Sequence, residues 1–225
     1  MRPVTNRAMN DAMWQEHTAG SPAIVGRREQ IYVHAAQLFC TRCFAGTSMA
    51  NIADAVGITK AGLYHFVASK EELLFTLMSF SMERLEEDVV APARAITDPV
   101  ERLTAIVRGH LQSVMQVTTP VGNPLTIILE ETGSLSAEKA ALIKARKAAY
   151  SAFVRSTLDE IKAAGGLADV DTRMATSAIM GIILWLARWH RPNGPLSVAD
   201  IVDNLSGIAL RGVLHPGPAL VPPLA

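Results

Sequence analysis

Three polar side chains in the first third of the chain carry hydrogen-bond donors at helical spacing. Lys60 and Tyr64 are four residues apart, so a helix would place them on one face, and His65 follows directly. An ammonium group, a phenol hydroxyl and an imidazole N–H can all donate to phosphate oxygens. This set of donors predicts contact with the backbone of a nucleic acid.

Small residues accompany these donors. The run Thr59-Lys60-Ala61-Gly62 opens the same helix, and short side chains there let a helix approach the edges of base pairs. Ser48 opens the preceding helix, where its hydroxyl and free backbone N–H groups can bind a further phosphate. For the Tyr64 ring, a place in the hydrophobic core is the alternative.

Three helices are needed to position these residues. Ser48 is a helix N-cap, Gly57 supplies a turn, and Thr59 caps a second short helix. The inward positions of these two helices and of the helix before them are apolar: Ile31, Ala35, Leu38, Phe39, Met49, Ile52, Ala53, Val56 and Leu63. Two short helices around a glycine turn are typical of the helix-turn-helix.

Basic residues flank the motif. Arg27 and Arg28 begin the first helix and Lys70 follows the third, where each can contact a phosphate or act as an ordinary surface charge. Residues 27–70 hold five basic and two acidic side chains, whereas residues 71–225 hold 14 basic and 17 acidic ones, so the whole chain is neutral. The local excess of positive charge favours nucleic-acid binding by the N-terminal part.

The segment resembles the DNA-binding domain of the TetR family of bacterial transcriptional regulators. The matching residues are Gly46, Thr47-Ser48, Ile52-Ala53, Val56-Gly57-Ile58-Thr59-Lys60, Leu63-Tyr64 and Ser69-Lys70-Glu71-Glu72-Leu73-Leu74. The resemblance implies a dimer that binds a double-stranded DNA operator and is released by a small-molecule effector. It also implies DNA contacts from these residues: Arg27, Arg28, Ser48, Thr59, Lys60, Ala61, Gly62, Tyr64, His65 and Lys70.

The rest of the sequence predicts an all-α fold. We expect a flexible arm (1–25), a three-helix helix-turn-helix domain (26–70), a C-terminal helical domain for ligand binding and dimerisation (71–215), and a tail (216–225). N-cap residues, apolar periodicity and proline or glycine breaks predict helices at about 27–44, 48–55, 59–66, 69–90, 98–118, 123–131, 137–164, 172–189 and 198–213.

The last two helices are strongly apolar. The final helix has an apolar stripe, and the one before it is apolar on nearly every side, which predicts that it is buried all round. With the family resemblance, this pattern predicts a homodimer formed by a four-helix bundle. The predicted interface residues are Trp185, Trp189, Val198, Ile201, Val202, Leu205, Ile208 and Ala209.

The effector is less clearly specified. Inward apolar residues can form either plain core or the wall of a pocket: Leu111, Met115, Ile128, Phe153, Met180 and Leu184. The stretch 185–197 resembles regulators that respond to acyl-CoA thioesters, although both tryptophans can simply stack in the dimer. Four basic residues could meet the CoA phosphates: Arg108, Arg146, Lys147 and Arg188.

Other classes of site lack the residues they need. Cys40 and Cys43 form a C-x-x-C inside a predicted helix, with no second ligand pair for a metal and no strand before them for a redox site. No cofactor loop or catalytic constellation is present, so we expect neither cofactor nor enzyme activity. No segment of the sequence predicts a membrane span or a secretory signal, and we expect a cytoplasmic protein. Two alternatives remain: an all-helical binding protein or enzyme without specific DNA binding, and a helix-turn-helix protein that acts through protein partners.

Overall fold

The computed structural model describes residues 22–116, 127, 131–191 and 194–214. Its helices are α1 (Pro22–Arg42), α2 (Met49–Val56), α3 (Lys60–Tyr64), α4 (Lys70–Leu85), α5 (Ala91–Arg94), α6 (Pro99–Gln116), α7 (Ala137–Ala163), α8 (Thr172–Trp189) and α9 (Val198–Arg211). A π-helical turn, Glu86–Val90, joins α4 to α5, and a 3-10 turn, Thr132–Ser134, precedes α7. The described residues contain no strand, so the structure agrees with the predicted all-α class.

The first three helices close around one small hydrophobic core. Ile31 of α1, Ile52 of α2 and Leu63 of α3 are all fully buried, as their apolar spacing predicts. The turn between α2 and α3 depends on Gly57, which has a φ of 72° and is the left-handed C-cap of α2. A residue with a Cβ would be strained at that φ, because the left-handed region is readily open only to glycine.

The helices α8 and α9 are also capped by side chains of their own sequences. Asp171 accepts hydrogen bonds from the backbone N–H groups of Arg173 and Met174 at the start of α8. Ser197 and Asp200 form a capping box at the start of α9. These caps supply acceptors for N–H groups that the first turn of a helix leaves unpaired.

The chain divides into two compact units. The first consists of residues 1–83 and 116–145, and the second of residues 84–115 and 146–225. The helices α1, α2 and α3, with the turns that join them and the turn to α4, are called the head. The first unit therefore combines the head with a later stretch of chain that includes the start of α7. No local pattern in the sequence predicts this discontinuous grouping.

Several helix boundaries differ from the predicted ones. α1 begins at Pro22 within the predicted flexible arm, because proline is well suited to the first position of a helix. The predicted helix 69–90 continues through the π-helical turn to Arg94. The rest of the arm, the tail and most of the predicted helix 123–131 lie outside the described residues. No helix in the described ranges is long and apolar enough to cross a membrane.

Candidate functional site

The start of α2 is fixed by a capping box. The backbone N–H of Asn51 donates to Ser48 Oγ at 3.1 Å, and the Ser48 N–H donates to Asn51 Oδ1 at 2.9 Å. The Ser48 hydroxyl also donates to Asn51 Oδ1 at 2.8 Å. Ser48 is exposed, as a phosphate contact requires. Because its hydroxyl hydrogen is donated to Asn51, the hydroxyl must turn away from Asn51 before it can donate to a phosphate.

The predicted recognition helix, α3, presents its polar residues to solvent. Leu63 anchors the helix in the core, while Lys60, Ala61 and His65 are exposed and the Tyr64 side chain is 48% exposed. The exposure of Tyr64 excludes the alternative of a core aromatic ring and keeps its hydroxyl available to another molecule.

A tight cap opens α3. Gly62 N–H donates to Thr59 Oγ1 at 3.0 Å, and a Cβ added at Gly62 would lie 3.1 Å from that oxygen. Any larger residue at position 62 would therefore crowd the cap. The Thr59 hydroxyl accepts this bond with its oxygen and keeps its own hydrogen for an external acceptor.

The two arginines of α1 contact the C-terminal ends of the motif. An Nη atom of Arg27 donates to the carbonyl oxygen of Val56 at 3.4 Å, and an Nη atom of Arg28 donates to that of Phe66 at the same distance. Val56 ends α2 and Phe66 follows α3, so both guanidinium groups lie at carbonyl ends, where positive charge is favourable. Arg27 is exposed and Arg28 is half-buried.

Lys70 is held inside the head. Its Nζ donates to the carbonyl oxygens of Phe44 and Thr47, both at 2.7 Å, and lies 4.0 Å from the centroid of the Phe44 ring. The ammonium group thus ties the start of α4 to the turn that precedes α2. Two of its three donors are used in this way, so the predicted phosphate contact rests on the third.

The predicted dimer residues separate onto two faces. Ile201, Val202 and Ala209 are at most 5% exposed within the chain itself, so their assignment to the interface was wrong. They lie on the side of α9 that packs on the subunit's own core. Leu205 is half-buried.

An apolar stripe on α8 and α9 remains uncovered. Met174, Trp185, Trp189, Val198 and Ile208 are between 43% and 68% exposed. Ala178 and Gly181 are exposed between Met174 and Trp185 at helical spacing. A single chain therefore does not bury α8 on every side, and its burial in the dimer bundle stays a prediction. We call these seven residues the apolar stripe.

The predicted effector residues differ in burial. Leu111 is fully buried and Met115 is buried, whereas Phe153, Met180 and Leu184 are half-buried. The guanidinium of Arg94 lies 5.4 Å from the centroid of the Phe153 ring. Ile128 lies outside the described residues.

Two of the candidate CoA-phosphate ligands have contacts within the second unit. Arg108 Nη1 lies 2.7 Å from a carboxylate oxygen of Asp203 and donates to Ser206 Oγ at 3.3 Å. Arg188 stacks on Trp185, with its guanidinium carbon 5.6 Å from the ring centroid. This contact places the Arg188 guanidinium beside an exposed aromatic ring.

Two family profiles cover most of the described chain. Residues 31–77 match the profile described as bacterial regulatory proteins, tetR family, and residues 97–213 match that of the tetracyclin repressor-like C-terminal domain. The chain belongs to the TetR family. It is a ligand-responsive DNA-binding transcriptional regulator, which confirms the predicted class.

Individual TetR-family relatives extend over nearly the whole chain. The repressor KstR2 of Mycolicibacterium smegmatis is 25% identical over 87% of this chain and 94% of its own. The activator FasR of the same species is 26% identical over 84% of each chain. The crystal structure of AibR in complex with isovaleryl coenzyme A and operator DNA has 36% identity and a TM-score of 0.73, covering 81% of this chain and 97% of AibR. KstR2 and FasR are both named as transcriptional regulators.

Glu131 contributes to the head of this TetR-family chain, although the sequence analysis missed it. Its Oε1 accepts a hydrogen bond from the Phe44 N–H at 2.9 Å, and its Oε2 accepts one from Ser134 Oγ at 2.8 Å. Phe44 is also a partner of Lys70, so opposite charges hold the two sides of one turn. Phe44 and Glu131 are 87 positions apart in the sequence, so no local sequence pattern reveals this contact.

The beginning of α7 is bound to the same unit by charged groups. Glu71 Oε1 accepts a hydrogen bond from the Ser136 N–H at 2.9 Å, which lowers the pKa of that carboxyl group. Lys139 Nζ donates to Glu72 Oε2 at 2.7 Å, and this bond raises the pKa of the ammonium group. These bonds connect the 131–139 segment to the beginning of α4.

Lys70→Ala is expected to destabilise the head. The change removes two charge-assisted hydrogen bonds and leaves two partly buried carbonyl groups without their donor, so unfolding should become easier by about 2 kcal/mol. Urea denaturation followed by circular dichroism measures the loss. Lys60→Ala is the matched control, since Lys60 is exposed, and it should change stability by less than about 0.5 kcal/mol. Unchanged stability of Lys70→Ala together with weaker operator binding would instead assign Lys70 to phosphate contact.

Proposed function

We propose that this regulator recognises its operator with α3. Thr59, Lys60, Ala61 and Gly62 approach the base edges, while Tyr64 and His65 contact the backbone. The observation that carries this proposal is the exposure of the polar residues of α3 around a single buried anchor, Leu63. Ser48 supplies a phosphate contact from the start of α2.

In the same proposal, Arg27 and Arg28 stabilise the helix-turn-helix and also contact phosphates. Arg27 and Arg28 hold the C-terminal ends of the two motif helices, and their remaining Nη donors are offered to phosphates beside the motif. Their position is supported by the hydrogen bonds to Val56 and Phe66. Lys70 keeps one donor for the same purpose.

A two-fold dimer is the functional form in this proposal. The apolar stripe supports it, because contiguous exposed apolar surface is typical of interaction sites. Two-fold symmetry would bring two copies of α3 to successive major grooves, roughly 34–36 Å apart on the DNA. Each subunit then binds one half of a palindromic operator.

An acyl-CoA thioester is the proposed effector, and the protein is proposed to act as a repressor. Support comes from the tryptophan-rich end of α8, and from AibR, which is similar over most of the chain and was crystallised with isovaleryl coenzyme A. The effector shifts the dimer towards a state with lower operator affinity, and the shift cannot exceed the effector's preference for that state. The protein acts by binding without turnover, in the cytoplasm where bacterial DNA lies.

A titration of operator binding tests this function. The purified protein is added to its own labelled upstream DNA, with nonspecific DNA as competitor, and fluorescence anisotropy is recorded between 50 and 300 mM salt. If each dimer neutralises roughly six to eight phosphates, log K should fall against log salt with a slope of about −5 to −7. Acyl-CoAs of increasing chain length are then added to the preformed complex.

The outcomes separate the parts of the proposal. Release of DNA by a thioester, but not by free CoA, supports both operator binding and the effector class. Specific binding that no thioester disturbs would contradict the effector class alone. A flat salt dependence would contradict the assigned phosphate contacts.

A further inference from the structure

Two polar side chains lie in the interior of the second unit. His110 on α6 is 4% exposed and Tyr150 on α7 is 6% exposed. His110 Nδ1 lies 2.9 Å from the Tyr150 hydroxyl, and the two rings meet edge to face with centroids 5.3 Å apart. The predicted effector residue Leu111 directly follows His110 on α6, and Phe153 lies three residues after Tyr150 on α7.

The pair has more hydrogen-bond donors than its one bond uses. A neutral imidazole has one N–H, and a phenol has one O–H. If the phenol donates to Nδ1, then the hydrogen on Nε2 is left over; if Nδ1 donates to the phenol, then the phenol hydrogen is left over. Among the described residues, neither side chain makes another hydrogen bond. One donor is therefore unmatched in either tautomer.

Burial also keeps both groups uncharged. It lowers the pKa of His110 to about 4 and raises the pKa of Tyr150, so the imidazole and the phenol are neutral at pH 7. The acceptor for this neutral donor should be a neutral oxygen, because burying a carboxylate beside the pair would carry a large desolvation penalty.

We propose that the His110–Tyr150 pair donates its free hydrogen to a carbonyl or hydroxyl oxygen on the buried part of the effector. This inference rests on the proposed function of a ligand-responsive regulator. It specifies that the effector's apolar part carries a neutral oxygen, either the thioester carbonyl itself or an oxygen further along the acyl chain.

A purely structural role explains the pair less well. Two apolar residues of similar shape would fill the same space without an unmatched donor, at little or no loss of stability. A buried water can accept the hydrogen in the absence of effector, and an oxygen of the ligand can replace that water.

Matched thioesters test the inference. We would measure the binding of octanoyl-CoA and of its oxo derivatives, with the ketone at C3, C5 or C7, by calorimetry on the full-length protein. Each probe is applied to the wild type, to Tyr150→Phe and to the double variant His110→Leu/Tyr150→Phe. The double variant replaces both partners with apolar groups, so it keeps the test valid if the single change weakens the fold. Tyr32→Phe, a phenol removed from a buried position in the other unit, is the matched control.

The expected result is that the pair variants lose at least tenfold in affinity for the preferred probe, while Tyr32→Phe changes it less than twofold. A wild-type preference of tenfold or more for one oxo isomer, lost in the variants, identifies an acyl oxygen. Equal losses for octanoyl-CoA and every oxo isomer identify the thioester carbonyl. Variants that bind all probes as the wild type does would overturn the inference and leave the proposed function intact. If the wild type binds no thioester, the proposed effector class fails, and the inference fails with it.

Discussion

Lys60→Glu is expected to reduce operator affinity by about 100-fold at 100 mM salt. The substitution removes an ammonium group from the exposed side of α3 and puts a carboxylate in its place. Charge repulsion against a phosphate should cost about 1.4 kcal/mol in each half-site, which is a tenfold loss of affinity. The losses at the two half-sites multiply, so the operator affinity of the dimer falls by about 100-fold. Fluorescence anisotropy with the operator measures the change, and circular dichroism checks that helicity is retained.

A matched charge reversal separates contact from long-range repulsion. Lys144 on α7 is also exposed, and Lys144→Glu changes the net charge by the same amount. Lys144→Glu should lower operator affinity by less than about threefold, because exposed charges more than a Debye length away are screened. Equal losses from the two variants would contradict the assignment of α3 as the recognition helix.

The head could be predicted from the sequence because its signals are local. The caps at Ser48 and Thr59 lie three residues from their partners, and Gly57 marks the one turn that needs a left-handed residue. The apolar spacing then determines which face is buried, which leaves Lys60 and Tyr64 on the outside. Each of these relations spans a few residues, so the sequence contains enough information to derive it.

The contacts that hold the head together could not be predicted in the same way. The position of Lys70 just beyond the motif and the family resemblance predict a phosphate contact, yet its partners are carbonyl groups 23 and 26 residues earlier in the chain. Glu131 binds a turn 87 residues away. Backbone acceptors and distant partners leave no residue type or spacing for a sequence pattern to detect.

The error on α9 has a different cause. A helix with apolar residues on two adjoining faces gives one broad stripe in sequence, and periodicity alone cannot say which part faces the subunit's own core. The structure assigns Ile201, Val202 and Ala209 to that core and leaves Val198 and Ile208 exposed. Together with Ala178 and Trp185 on α8, this exposed part makes the apolar stripe the surface to test.

Ala178→Asp is expected to separate the proposed dimer into monomers. Ala178 lies on the apolar stripe between Met174 and Trp185, where its small side chain allows a second helix to approach closely. An aspartate on both sides of a two-fold interface would bury two like charges without partners, which costs several kcal/mol. Light scattering coupled to size-exclusion chromatography should show a mass near 24 kDa in place of twice that value.

The same variant should lose operator binding, because a monomer binds only one half-site. Joining two half-site contacts in one molecule raises the overall affinity by roughly 100- to 10,000-fold, and separation of the subunits removes that gain. Ala148→Asp is the matched control, since it puts the same charge on an exposed alanine of α7, away from the apolar stripe. It should remain dimeric and bind the operator within about threefold of the wild type. A dimer that survives Ala178→Asp but not Ala148→Asp would move the interface from α8 and α9 to the exposed side of α7.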